Sequence, residues 1–92
     1  MEEIIDLLKE NINKVQNDIN CNTNEMCIYM PYYFLSLFSE YLVQEYLFGF
    51  DEGKKCKFFQ GCEIYYNYEN TIVVTMKDNC YLGYKGYSIK IP

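Results

Sequence analysis

The sequence predicts an α+β domain, two helices packed on one face of an antiparallel sheet of three to four strands, and three observations lead there. Residues 2–19 carry apolar side chains at helical spacing. Residues 31–48 form a second helical segment, opened by Pro31 and closed by Gly49. After Gly53 the chain changes to short alternating runs separated by turn formers. At 92 residues there is room for one domain, 1–92, with a single modest core and no large internal cavity.

In the first segment Ile5, Leu8, Ile12, Val15 and Ile19 recur at alternating three- and four-residue steps and trace one stripe of a helix. Glu3, Asp6, Glu10, Asn13 and Asn17 lie opposite, and Glu2, Glu3 and Asp6 suit the positive end of the helix dipole. The stripe has heptad form over little more than two heptads, so it is expected to pack on its own domain rather than against a second copy. Asn20-Cys21-Asn22-Thr23-Asn24 is a polar break that ends this helix. Residues 26–30 are expected as a brief strand, because Pro31 disfavours helix in the residue before it and is welcome at a first helical position.

The second helix is expected from Pro31 to about residue 48, with Gly49 as a left-handed cap. Its polar strip is narrow: Ser36, Glu40 and Gln44 lie four apart, with Ser39 beside them. Phe34, Leu35, Phe38, Leu42 and Tyr46 occupy the other side, and Tyr33, Leu37 and Tyr41 flank the strip. A helix this apolar is expected as the central element of the domain, and Tyr33 and Tyr41 bordering Glu40 make a candidate contact patch. Past the turn at Asp51-Glu52-Gly53-Lys54, strands are expected at 56–60, 62–68, 71–76 and 87–91, Ile72-Val73-Val74-Thr75 being the strongest. Gly61, Glu69-Asn70 and Lys77-Asp78-Asn79 supply the turns, and 81–86 reads as a loop or bulged strand.

Charge divides the chain in two. Residues 1–52 hold ten acids against Lys9 and Lys14 (2 − 10 = −8), and residues 53–92 hold six lysines against Glu63, Glu69 and Asp78 (6 − 3 = +3). His, Arg, Trp and Ala are absent, which removes most catalytic and phosphate-gripping constellations. The five glycines never form a phosphate loop, and acid pairs such as Glu2-Glu3 or Asp51-Glu52 are the usual residues of solvated helix starts and loops. Cys21, Cys27, Cys56, Cys62 and Cys80 are odd in number and lack CxxC spacing, so neither a disulfide framework nor a metal site is expected. Cys56, flanked by Lys55 and Lys57, is expected as a half-buried structural cysteine, since strand neighbours point to the opposite face. No enzyme activity and no cofactor are expected.

The longest uncharged stretch, residues 26–39, falls short of the roughly 20 apolar residues a membrane span needs. The acidic opening Met-Glu-Glu-Ile-Ile lacks the basic start of a secretory signal, so a cytoplasmic protein with no membrane partner is expected. The preference for Ile, Asn, Lys and Tyr over Ala and Arg suggests an AT-rich coding sequence.

Surface recognition is therefore the expected role, and two surfaces of opposite sign compete for it. Glu3, Asp6 and Glu10 on the first helix, with Tyr33, Glu40, Tyr41, Gln44, Glu45, Asp51 and Glu52 on and after the second, can present carboxylates and tyrosines to a basic groove of another protein. Lys54, Lys55 and Lys57 beside Phe58 and Phe59 can form a single-stranded nucleic-acid platform, but the missing Arg and the net charge of −5 argue against direct nucleic-acid binding. A structural or regulatory homo-oligomeric module, using the first-helix stripe and the surplus tyrosines, is the alternative of a different class.

The stretch Lys57-Phe58-Phe59-Gln60-Gly61-Cys62-Glu63-Ile64-Tyr65-Tyr66 is similar to strand–turn–strand pieces of small acidic accessory proteins of phages and mobile elements, a group that includes anti-CRISPR inhibitors. The resemblance assigns no residue a role. It implies a non-enzymatic, phage-encoded inhibitor that binds a host nuclease or CRISPR effector complex, with a homodimer as one form of it.

Overall fold

In a computed structural model of the protein the described residues are 1–46, 57–77 and 83–91, the side chains of residues 43–46 excepted. Helix α1 spans Glu2–Ile19, a short 3-10 turn spans Thr23–Glu25, β1 spans Met26–Pro31 and α2 spans Tyr32–Tyr46. Strands β2 (Phe58–Phe59), β3 (Cys62–Asn67), β4 (Thr71–Met76) and β5 (Tyr87–Lys90) follow. The sheet runs β2-β3-β1-β4-β5. The fold class is α+β, as the sequence predicts.

The sheet differs from the expected meander in one respect, the place of β1. This strand lies at the centre, parallel to β3 and antiparallel to β4, so the sheet has five strands and is mixed. Met26, Cys27, Ile28, Met30 and Pro31 are all buried, and a strand apolar on both faces belongs between neighbours rather than at an edge. A parallel pair needs a crossover connection, and α2 lies in it between β1 and β3. Pro31 closes β1, and α2 starts one residue later, at Tyr32.

One face of the sheet carries the core. Met26, Ile28 and Met30 of β1, Cys62 and Ile64 of β3, Ile72, Val74 and Met76 of β4 and Ile89 of β5 share a parity and are buried together with Phe59. Onto this face α1 brings Ile5, Leu8, Ile12 and Val15, above β4 and β5, and α2 brings Phe34, Leu35, Phe38 and Leu42, above β1 and β3. The apolar stripe of α1 is thus spent inside its own domain, with Ile19 partly buried at its end. Asn20 stops α1 in the left-handed region (φ 57°), its N–H donating to the Gln16 carbonyl at 2.7 Å. Ser39 is not part of the polar strip: it is buried, and its hydroxyl donates to the Leu35 carbonyl at 2.8 Å, which satisfies it within the helix.

Between β2 and β3, Gln60 (φ 50°) and Gly61 (φ 86°) both adopt positive φ, the requirement of a tight two-residue hairpin of type I′. Gly61 also rests on the 3-10 turn, where a Cβ would stand 2.5 Å from Thr23 Oγ1. No described helix is long and apolar enough to cross a membrane. Strand 56–60 of the sequence reading begins outside the described residues, as do Cys56, Cys80 and the Gly49 cap.

Candidate partner-binding surface

Both helices lie on one face of the sheet, joined by the Tyr41–Glu2 hydrogen bond, and most described acids lie on their outer sides. Glu2, Glu3, Asp6, Glu10, Asp18 and Glu40 are exposed there against Lys9 and Lys14 (2 − 6 = −4). In and beside the strands stand Lys57, Lys77, Lys85 and Lys90 against Glu63 and Glu69 (4 − 2 = +2). The charge asymmetry of the sequence becomes an asymmetry of layers, with the acids in excess on the helices and the lysines in excess in and beside the strands.

Within the helix layer α2 contributes the apolar part. Tyr33 is 54% exposed and Leu37 is 53% exposed one turn further on, with Glu40 exposed beside them. The Tyr33 hydroxyl donates to Asn70 Oδ1, which ties the helix start to the β3–β4 turn. Tyr41 is half-buried against the core, and its hydroxyl donates to Glu2 Oε1 on α1. The patch of Tyr33, Tyr41 and Glu40 is therefore assembled, with Leu37 at its middle and Glu2 joined to it. Glu3, Asp6 and Glu10 lie on the outer side of α1, Glu10 pairing with Lys14 at 3.4 Å. Gln44 and Glu45 lie on the α2 backbone with side chains outside the described set, and Asp51 and Glu52 lie outside the described residues.

Further tyrosines, which helical spacing does not mark, lie beside the start of α2. Tyr66, near the end of β3, meets Tyr32 edge-on with ring centroids 5.3 Å apart, and meets Tyr68 edge-on at 5.9 Å. Tyr68 is 89% exposed. Tyr66 has the same strand parity as Ile64 and would read as core; it emerges because it lies at the end of β3, where its ring meets the exposed Tyr32 rather than the buried interior. Tyrosine supplies large contact area with few rotatable bonds and a polar tip, the reason it is enriched in protein interfaces.

On the opposite face of the sheet the register sets Tyr29 of β1 directly beside Tyr65 of β3, with ring centroids 5.6 Å apart. Phe58 of β2 pairs with Glu63 on the same face. The Tyr65 hydroxyl donates to Glu63 Oε2 at 3.0 Å, and Lys77 Nζ reaches the same oxygen at 3.2 Å. The Lys77 bond, then the Tyr65 bond, hold the Glu63 carboxyl below its usual range. The Glu63 bond in turn raises the Tyr65 phenol.

Two further clusters are structural. Tyr84 and Tyr87 both donate to Asp18 Oδ2, at 2.9 and 2.6 Å, and Lys14 stands over the Tyr87 ring at 5.4 Å, so the end of α1 is tied to β5. Cys62 is fully buried and burial pushes its thiol up to about 11, which keeps it a protonated, unreactive core residue. Cys27, also buried, donates its thiol to the Met76 carbonyl at 3.6 Å. Among the described residues no group of His, Cys, Asp or Glu is arranged to hold a metal ion.

The geometry defines an α+β two-layer domain with an acidic, tyrosine-faced helix layer. No protein-family model matches the chain, and no curated protein and no solved structure matches it.

Proposed function

We propose that the protein is a non-enzymatic, acidic inhibitor that acts by binding another protein through its helix layer. The observation that carries this reading is the set of exposed side chains Tyr32, Tyr33, Leu37, Tyr66 and Tyr68, with Glu40 on the same helix and Glu2 of α1 joined to it through Tyr41. Exposed rings supply contact area, and the surrounding carboxylates favour a basic groove and repel an acidic one. A groove that binds nucleic acid has that character. With the resemblance to phage accessory proteins, the target is a bacterial defence effector in the host cytoplasm, such as a CRISPR nuclease, whose nucleic-acid site the inhibitor obstructs.

The test is inhibition of target cleavage by purified CRISPR nucleases, with the wild-type protein and a Glu3→Lys/Glu40→Lys variant, at low and high salt. Inhibition that weakens with salt and is lost in the variant supports the reading. Cleavage unaffected by the wild type, together with concentration-dependent self-association through the tyrosine patch, moves it to a homo-oligomeric interaction module.

A further inference from the structure

The end of β3 and the turn that follows it, residues 68–70, form an aromatic corner beside the start of α2. Tyr66 meets Tyr68 at 79° with ring centroids 5.9 Å apart, and meets Tyr32 at 80° with centroids 5.3 Å apart. Tyr66 is 53% and Tyr68 89% exposed, so little of Tyr68 is covered beyond its contact with Tyr66. The turn that carries it is pinned on both sides. Asn67 Nδ2 donates to the Thr71 carbonyl at 3.2 Å, and Asn67 Oδ1 accepts from the Glu69 N–H at 3.0 Å. Asn70 Nδ2 donates to the Ile91 carbonyl at 2.9 Å, and Asn70 Oδ1 accepts from the Tyr33 hydroxyl. A ligand therefore meets a surface already in place rather than one it must order.

We propose that the Tyr66–Tyr68 corner takes an arginine side chain of the protein partner, which deepens the helix-layer reading and rests on it. Two rings set near a right angle bound a corner with one face each. With their centroids 5.9 Å apart, a cation seated in that corner stands within roughly 6 Å of both, the reach of a cation–π contact. Guanidinium suits the corner better than ammonium, because it is planar, is weakly hydrated and stacks on aromatic faces.

The local charge agrees with a cationic guest. Glu69, exposed and next to Tyr68 in the turn, has no ion-pair partner among the described residues. The lysines of the strand layer stay clear of it. Lys57 and Lys77 belong toward the other end of β3, the Lys57 carbonyl accepting from the Ile64 N–H and Lys77 pairing with Glu63. Lys85 precedes the end of β5 that pairs with Val74, and Lys90, across from Thr71, has the parity of the opposite face of the sheet. An arginine in the corner is thus attracted by two ring faces and by a carboxylate one residue away.

The experiment is an NMR titration of the full chain, with isotope-labelled tyrosine rings, by an Arg-Gly-Gly repeat peptide of about nine residues, beside the same peptide with lysine or citrulline in place of arginine. Saturable shifts of the Tyr66 and Tyr68 ring signals are expected with the arginine peptide, about two- to five-fold weaker binding with lysine, and none with citrulline. Tyr68→Leu, which keeps apolar area and removes the ring, is expected to weaken binding about two- to five-fold, and Tyr68→Phe to retain it. Asn17→Ala on α1 leaves binding unchanged, and thermal melts verify that each variant is folded. Absence of a saturable shift at these two rings, equal affinity for the lysine or citrulline peptide, or indifference to Tyr68→Leu overturns the proposal. The helix-layer reading is decided separately, by the cleavage assay with Glu3→Lys/Glu40→Lys, since neither residue belongs to the corner.

Discussion

Replacing Phe38 with alanine tests whether α2 is the central helix of the domain. Phe38 is fully buried, stacked on Phe34 at 6.2 Å and edge-on to Phe59 at 5.5 Å, so it joins α2 to itself and to the first strand after the crossover. Removing a ring that buries on the order of 150 Å² forfeits about 4 kcal/mol at 25 cal/mol per Å², in the middle of the 3–5 kcal/mol found for Phe→Ala in cores. A domain of this size has roughly 5–14 kcal/mol in all, so between about 30% and most of its stability is at stake. Urea unfolding followed by far-ultraviolet circular dichroism measures the loss as a lower midpoint at constant slope, and a melt shows a fall of about 15–30 °C. A loss below about 1 kcal/mol would mean that the Phe38 site is not buried as described, and with it the seating of α2 on β1 and β3.

Three further outcomes follow from named contacts. Gly86→Ala is expected to cost about 2 kcal/mol or more in urea unfolding, since Gly86 has φ 73° and a Cβ there would stand 2.1 Å from the Val74 carbonyl oxygen; an unchanged midpoint would contradict that geometry. Tyr84, through burial and then Asp18, and Tyr87, through Asp18 first, have phenols raised above 10. The folded state therefore keeps protons that the unfolded state gives up, so stability is intact below pH about 10 and falls as pH rises toward the folded values. In Asp18→Asn both phenols should titrate lower by tyrosinate absorbance and the alkaline fall should shrink; identical titration curves would refute the tie. Cys62, held up to about 11 by burial, should resist iodoacetamide at neutral pH until the protein is unfolded, and labelling at the rate of an exposed thiol would contradict its place in the core.

How much of this was legible in the sequence depended on how local each feature is. The stripe from Ile5 to Ile19 gave α1 its bounds, because burial of one helix face repeats within a few residues. The β-branched run at residues 72–75 marked β4, which spans Thr71–Met76. The position of β1 was not legible: the segment reads as a strand, but its parallel pairing with β3 depends on residues 36 places further along. Ser39 reads as solvent-facing by type, and only the Leu35 carbonyl in the folded helix shows how it is satisfied. For the candidate surface, Tyr33, Glu40 and Tyr41 could be placed from helical spacing alone. Tyr66 and Tyr68 could not, since their exposure depends on where β3 ends relative to the core.

The helix-layer reading is tested most directly by capture. Tagged wild-type protein and a Tyr33→Ala/Leu37→Glu variant, with Asn17→Ala as a folded reference, are exposed to nuclease-treated lysate of an AT-rich bacterium carrying CRISPR systems. Captured proteins are eluted in a salt gradient and identified by mass spectrometry. The account predicts a nucleic-acid-binding effector captured by wild type and Asn17→Ala, released by modest salt, and lost from the double variant. Equal capture of that effector by the folded double variant, or retention by wild type only of partners unrelated to nucleic acid and insensitive to salt, would contradict it.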